Sequence, residues 1–490
     1  MPPSNPRNVL KLTKRIADPI HGLIRITKLE SKILAHEAFQ RLRNIKQLGM
    51  AEYVYPGATH NRFTHSLGVL HNVDRIYDAA YKNWIGNNEL SGEIDADFIF
   101  HPDQLQATRL AALCHDLGHF PFSHNLEPAF DWLEEANIIP FTFRHEALSS
   151  KIVDQMLGPL LDRYTNPVKN LIEGNYCSHD TSMFLNFLVS SALDADRMDY
   201  LIRDAYHCGV DYGRFDKARL LDTIYPYSVE IDGKKHDLMA IHSKGIEAVE
   251  QFLLARHRMH QTIYFNRAVV SFEAGLRRAY YRLSTKDPTW ELPHVFLDEP
   301  EKFMEFDDYS FFSQLKTQLR KSGSWLVKPL LHRSSVRKMG PFFYTEIEGR
   351  KTSQEEKIKF ELLDELKKQI EIPHEDWFQK DNWAYVELKE QTLVNSLPKA
   401  VNHMSDEKIE SQDLKNSLFL IDNNGTLIDP TDISQGHSFL PFISGHTYYR
   451  FLFFCHKSDS DRLSKELDPL KEFYQDYQWQ QLSLNKYFQS

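Results

Sequence analysis

The hexapeptide CHDLGH, Cys114 to His119, sets two metal-quality ligands side by side, His115 and Asp116. Neighbouring residues on a helix point about 100° apart, so this pair shares one cation only near a helix end or a kink. The apolar run LAALC, Leu110 to Cys114, reads as a buried helix, with Gly118 as its stop. A charged Asp at the end of such a helix needs a partner or a metal. The bland alternative is a satisfied core His beside a C-terminal charge, so the case for chemistry rests on further ligands. Upstream, HNRFTHS supplies His60, Arg62 and His65; downstream, DADRMDYLIRDAYH supplies Asp194, Asp196, Asp199, Asp204 and His207. One His from the first segment, the central pair and one Asp from the last make two nitrogens and two carboxylates. That set suits a divalent transition metal (Mn, Fe, Zn or Ni) better than Ca. It also leaves positions open for water and a phosphate oxygen.

Two stripes extend the pattern. Asp196, Tyr200, Asp204 and His207 fall at i, i+4, i+8 and i+11, one face of a helix, where the alternative is a solvated acidic face. Arg256, His260, Tyr264 and Arg267 repeat that spacing with cations and a ring, and their alternative is an exposed basic face. Arg62, three residues before His65, is placed to lie against a phosphate.

Several blocks in this order carry a family resemblance: DPIHG (Asp18 to Gly22), FQRLRNIKQLG (Phe39 to Gly49), YPGATHNRF (Tyr55 to Phe63) and CHDLGHFPFSH (Cys114 to His124). From about Arg15 to about Leu283 the chain resembles the HD-domain deoxynucleoside triphosphate triphosphohydrolases, in the branch that includes the vertebrate enzyme with a sterile-alpha-motif domain. The resemblance implies His65, His115, Asp116 and Asp196 as metal ligands. It implies that His145, in FRHE, pairs with the acid at 127 and protonates the departing 5′-oxygen, and that His119 orients the α-phosphate. Glu127 stands where the vertebrate branch has Asp. For His124 the alternative to a site role is a core hydrogen-bonder. The substrate, a deoxynucleoside triphosphate, would meet Arg62, Gln47, Leu48, Arg197, Tyr200, Asp204, Arg256, His260 and Tyr264. A Tyr264 ring under the sugar would crowd a 2′-hydroxyl. Arg197 replaces a Lys of many relatives, a planar fork in place of a point ammonium; its alternative is an ion pair with Asp194 or Asp204. Magnesium would accompany the outer phosphates.

The same resemblance implies a homo-oligomer, a tetramer, switched by an activator nucleotide held by Lys14, Gln40, Arg43, Lys244 and Arg267. Ala35 and Ala17 stand where relatives have an Asp and an Asn, so guanine-specific activation is not carried over.

Composition bounds the class. The chain has 490 residues, 42% hydrophobic and 26% charged, as in ordinary globular proteins, with a net charge of −10. That charge argues against nucleic acid as the main partner. Four Cys (114, 177, 208 and 455) without a CxxC read as free thiols in a reducing cytoplasm. The polar N-terminus lacks a signal-peptide core, and no apolar run approaches the roughly 18 residues of a membrane span.

The elements that must position these residues read as helices over 29–50, 103–117, 145–157, 181–206 and 244–284. The first 290 residues look almost wholly α. Prolines punctuate 285–345, a helix follows at 353–370, and beyond 380 the pattern turns β-like. There WAYVEL and TYYRFLFFCH read as strands, Asn424-Gly425 as a hairpin turn, and 458–476 as a last helix. The expected fold is mainly α: an HD-type helical catalytic core over 1–290 and a smaller α+β lobe over 291–490. Two other functions stay open. The same metal site serves a phosphomonoesterase or phosphodiesterase, and a nucleotide-binding regulator would need no turnover.

Overall fold

Three helices dominate the architecture, and His65, Asp196 and the turn that carries His115 and Asp116 come together where they meet. The computed structural model describes residues 5–140, 144–175, 181–231, 234–286, 293–322, 337–348, 383–391, 417–428 and 446–455. A hairpin of β1 (Leu12–Asp18) and β2 (Gly22–Thr27) opens the chain, and α1 (Lys28–Ala35) follows behind a Thr27/Glu30 capping box. The 25-residue α2 (Arg62–Gly86) starts at Asn61, whose side chain accepts the Thr64 N–H. It packs on α3 (Pro102–Cys114), in which every residue from Leu105 to Cys114 is buried, so α3 is a central helix without a solvent face. Next come α4 (Glu127–Glu135), α5 (His145–Ile152), α6 (Met183–Val189) and α7 (Ala195–Cys208). α7 also packs on α2.

Compact units interleave along the sequence. One comprises 1–264, 291–312 and 393–444; the other comprises 265–290, 313–392 and 445–490. The first holds a sheet built on β3 (Ile224–Ile231) and β4 (Lys234–His242), followed by α8 (Ile246–Met259). The short strands Leu420–Ile421 and Leu427–Ile428 complete that sheet, Leu420–Ile421 running parallel to β4. In the second unit α9 (Arg267–Lys286) lies against Trp383–Gln391, an edge of a three-stranded antiparallel sheet with His446–Cys455 at its centre and Arg337–Glu348 opposite. The protein is thus mainly α, an HD-type helical core with a smaller sheet-bearing C-terminal part. Among the described residues no helix is long and apolar enough to cross a membrane.

Several expected elements are broken, each for a local reason. The stripe over 29–50 is not one helix. It divides at His36, whose backbone is extended and whose ring accepts the Ala38 N–H, and it continues as short turns through Arg41–Asn44. Arg41 is buried and donates to the carbonyls of Phe306, Leu117 and His119, which ties this segment to the core. The segment 181–206 splits because Asp194 caps α7: it accepts N–H groups from Ser191 and Arg197 at 2.8 and 2.7 Å, and the chain between is not helical. The segment 244–284 is interrupted by a π-turn at His260–Tyr264, a bulge that re-aims side chains. The antiparallel pairs β1–β2 and β3–β4 correct the almost wholly α expectation. Strands at 383–391 and 446–455 and the Gly425 turn (φ 76°) agree with the sequence. The helices expected at 353–370 and 458–476 lie outside the described residues.

Close packing of α2 on α7 depends on Gly68. A methyl group there would overlap the Asp199 carboxylate, which Arg203 grips with two nitrogens at 2.8 and 3.0 Å. Gly68→Ala is expected to lower stability by about 1–3 kcal/mol and to weaken metal binding. Thermal melting with and without Mn2+ checks this, and an unchanged melting temperature would contradict it.

Candidate metal centre and active site

α3 ends at Cys114, so His115 and Asp116 stand just past a helix terminus, where neighbouring side chains can converge. Gly118 is not the helix stop; it is a point of close approach. A methyl group at Gly118 would overlap the His145 carbonyl and the Ser149 amide. Its own N–H donates to Ser149 Oγ at 2.8 Å, and that hydroxyl donates to the His115 carbonyl at 2.7 Å. The HD turn is therefore clamped against the first turn of α5.

His65 from α2, His115 and Asp116 from that turn, and Asp196 from α7 meet at one point. His115 Nε2 lies 3.2 Å from Asp116 Oδ1 and 3.9 Å from Asp196 Oδ1. His65 Nε2 lies 2.8 Å from Asp196 Oδ1 and 3.7 Å from Asp116 Oδ2. Ligands about 2.0–2.2 Å from one ion stand roughly 3 Å apart, so these spacings fit a shared cation. The outer contacts aim the nitrogens. His65 donates through Nδ1 to Asp199 at 2.8 Å, and His115 donates through Nδ1 to the Ala112 carbonyl at 2.9 Å. Each ring thus turns its Nε2 inward, and among the described residues neither Nε2 has a hydrogen-bond partner of good geometry. His65 and Asp116 side chains are 1% and 3% exposed, but Asp196 is 32% exposed, so the centre is sealed on three sides and open at Asp196. The residues present fit a divalent metal.

Electrostatics agree. Burial works against the Asp116 carboxylate, yet Arg62, His115 and His119 outweigh it and hold its pKa well below the usual range. Burial likewise opposes a proton on His65, but Asp196 and Asp199 outweigh it and push its pKa up to about 10. Binding a cation must displace that proton, so affinity falls as pH falls.

Behind His65 lies a network that the sequence reading had only in part. Asp199, one of the downstream acids, takes His65 on one oxygen and His21 Nε2 on the other at 2.6 Å. Arg203 bridges Asp199 to Asp18, whose carboxylate also shapes the DPIHG turn by accepting the Ile20 and His21 amides. His21 went unassigned, although a His in the three-residue turn between Asp18 and Gly22 was the available signal. His60 is a second such residue: it bonds Asp204 at 2.7 Å and stacks on His207 with ring centres 4.4 Å apart.

Beside the metal ligands stands a second group. His145, the first residue of α5, bonds Glu127 Oε1 through Nδ1 at 3.1 Å and stacks on His119 at 3.9 Å. Burial would lower the His145 pKa, but Glu127 and Glu146 together raise it. Glu127 is held well below the usual carboxylate range: burial opposes this, and His124 and His145 outweigh burial. His119 is kept neutral by burial and by Arg62 and His145, with Nε2 3.1 Å from Asp116 Oδ1. His124 is not in the core; its side chain is 59% exposed and bonds the same Glu127 oxygen at 3.0 Å.

The residues expected around a substrate fall into three places. Arg62 donates to Asp116 at 2.6 Å and to Ser123 at 2.7 Å, so it steadies a metal ligand as well as adding charge. Tyr200, Asp204, His260 and Tyr264 come together: Tyr264 Oη donates to Asp204 at 2.8 Å, and its ring lies 4.9 Å from His260 and 6.2 Å from Tyr200. Burial and the charges of Arg256 and Arg197 push the His260 pKa well down, which sets both cations beside it. Arg197 also pairs closely with Asp194, the ion pair that spacing had offered as its alternative. Gln47, which precedes Leu48, borders His60: its backbone amide donates to the His60 carbonyl at 3.1 Å, and among the described residues Gln47 Oε1 is buried without a hydrogen-bond partner. The residues expected at an activator site stand on separate elements. Lys14 bonds Ser31, Arg43 bonds Gln40 and lies over the Phe63 ring, Lys244 is exposed, and Arg267 belongs to the other compact unit.

This arrangement is that of an HD domain: residues 62–205 match the family of that description, from the arginine on Asp116 to the residue after Asp204. The chain thus carries an HD domain, and deoxynucleoside triphosphate triphosphohydrolases are among its homologues. It is 33% identical over 237 residues to the deoxynucleoside triphosphate triphosphohydrolase SAMHD1 of Homo sapiens, covering 42% of this chain and 35% of that protein. It is 35% identical over 278 residues to the uncharacterized protein YwfO of Bacillus subtilis (strain 168), covering 56% and 57%. The matches span about half the length of such relatives. Among solved structures, a phosphohydrolase (BT4208) of Bacteroides thetaiotaomicron superposes with a TM-score of 0.62 at 25% identity, covering 90% of this chain and 99% of that one.

Asp199→Asn keeps the shape but gives up the charge that orients His65. It is expected to weaken Mn2+ binding about 10–100-fold, measured by calorimetry on protein with an unchanged circular dichroism spectrum. Wild-type affinity in that variant would show that Asp199 does not set the ligand.

Proposed function

We propose that this protein is an intracellular metal-dependent phosphohydrolase that converts a deoxynucleoside triphosphate to deoxynucleoside and inorganic triphosphate. The observation that carries the reading is the adjacency of two sets: the His65, His115, Asp116 and Asp196 donors, and a His145–Glu127 pair joined to them through His119. A divalent ion held by the first set lowers the pKa of water and offsets phosphate charge. Manganese, iron, zinc and nickel all suit the donors.

The chain's own groups do the rest. Glu127 holds the His145 ring through Nδ1, which leaves the Nε2–H to be given to the 5′-oxygen as the bond to the α-phosphorus breaks. Water adds to that phosphorus as the bond to the 5′-oxygen breaks: His145 gives its proton to the nucleoside, the proton shed by the water returns His145 to its acid form through solvent, and the triphosphate keeps the water's oxygen. Arg62, Arg197 and Arg256 supply positive charge, and His260 a neutral donor, for a substrate bearing about four negative charges, which Mg would accompany. His119, neutral, donates to Asp116 and steers the α-phosphate. Tyr264, fixed by Asp204, presents a ring against the sugar, and Gln47 and Leu48 border the same space; together they favour a deoxyribose. By analogy with the family the active form is a homo-oligomer, a tetramer, responsive to an activator nucleotide.

Incubation with each deoxynucleoside triphosphate and Mn2+ or Mg2+ is expected to give nucleoside and inorganic triphosphate in equal amounts. Orthophosphate or pyrophosphate instead would point to a phosphomonoesterase or phosphodiesterase. The His115→Ala, Asp116→Ala double variant is expected to lose turnover, and full activity in it would show that the site is misassigned.

His145 acts while protonated, so its activity is lost as pH rises through its raised pKa. Glu127→Gln removes a group that raises that pKa. The basic limb of the kcat/KM profile should therefore move to lower pH, and His145→Ala should cost about 10²–10⁴ in rate. An unmoved basic limb would exclude His145 as the acid.

A further inference from the structure

We propose that His119, His124, Glu127 and His145 form a second transition-metal site beside the first, and that an ion bound there withdraws His145 from proton transfer. Each of the four offers a ligand atom within 4.8 Å of the others. Three imidazoles and one carboxylate are the donors that Zn2+, Co2+ and Mn2+ prefer. They come from three separate segments: the turn after α3, the start of α4 and the first residue of α5.

The spacing resembles that of a metal site more than that of an acid–base pair. Orienting a proton-donating imidazole takes one imidazole on Glu127. Here two imidazoles place Nδ1 on the same oxygen, Glu127 Oε1, at 3.0 and 3.1 Å. Donors about 2.0–2.1 Å from a tetrahedral ion stand roughly 3.3 Å apart, so small rotations suffice to admit one. His119 adds a separate observation. Its Nε2 is engaged by Asp116, while Nδ1 is buried with no hydrogen-bond partner among the described residues, and its side chain is 1% exposed. His124, 59% exposed, gives the ion a way in from solvent.

The two sites touch through one carboxylate. Asp116 Oδ1 lies 3.2 Å from His115 Nε2 and 3.1 Å from His119 Nε2. An ion in the second site takes a nitrogen of His145 and the Glu127 oxygen that orients it, so the acid is lost while the first site keeps its own ligands. The inhibitory effect rests on His145 being the acid, whereas the site itself does not.

The test uses the full chain stripped of metal and titrated with Co2+, followed by calorimetry and by the visible absorption of four-coordinate cobalt. Wild type is expected to take two equivalents per chain. The His115→Ala, Asp116→Ala variant should keep only the second, and His124→Ala should keep only the first; Glu127→Gln serves if His124→Ala alters the circular dichroism spectrum. Zn2+ added beyond the first equivalent should lower triphosphate release at least tenfold in wild type. A single equivalent in wild type, or two in folded His124→Ala and Glu127→Gln, would overturn the second site. Two equivalents with no turnover under any condition would support the site and refute the proposed hydrolysis instead.

Discussion

The direction of two imidazole lone pairs is the constraint on which the rest of this structure depends. A histidine offers one nitrogen to a metal only when its other nitrogen is occupied. Asp199 does this for His65, and the Ala112 carbonyl does it for His115. The first needs a buried carboxylate on α7, which in turn needs Arg203, Asp18 and His21 to balance its charge. It also needs α2 to approach α7 without a side chain at Gly68. The second needs only the last turn of α3. So the N-terminal hairpin, remote in sequence, is part of the metal centre through the DPIHG turn.

A buried cluster of charges is costly to assemble unless each is paired. Here the pairing is close: Arg62 with Asp116, and Arg203 with both Asp199 and Asp18. The loop that carries Ser123 shows what this demands of the backbone. Phe122 and Ser123 both adopt positive φ, 60° and 58°, which non-glycine residues rarely do. Asp308 holds the turn by accepting the Phe122 amide at 2.7 Å and the Lys46 amide at 3.0 Å. Burial pushes the Asp308 pKa up to about 6. A packed group of Phe120, Phe296, Phe303 and Phe306 supports it from below. In this way the segment after residue 293 stabilises the loop on which His119 and His124 sit.

The convergence of His65, His115, Asp116 and Asp196 was legible in the sequence because each lies in a distinctive block. His115 next to Asp116 marks a helix end, and the Asp196 stripe marks a helix face; both stand where those patterns imply. What was not legible came from tertiary contacts. Periodicity carried the 29–50 stripe past His36, because a side chain that accepts a backbone N–H leaves no trace in a hydrophobic pattern. The same holds for Asp194, whose capping role divides 181–206. Gly118 was legible as a glycine but not as a contact, since nothing near it in sequence reveals the His145 carbonyl that occupies the space. His21 and His60 were missed or left open because their partners, Asp199 and Asp204, lie more than a hundred residues away.

The most direct test is the position of the ion itself. Crystals grown with Mn2+, and diffraction recorded at the manganese absorption edge, should show an anomalous peak about 2.0–2.3 Å from His65 Nε2, His115 Nε2, Asp116 and Asp196 together. A peak held by other residues, with those four side chains turned apart, would contradict the account.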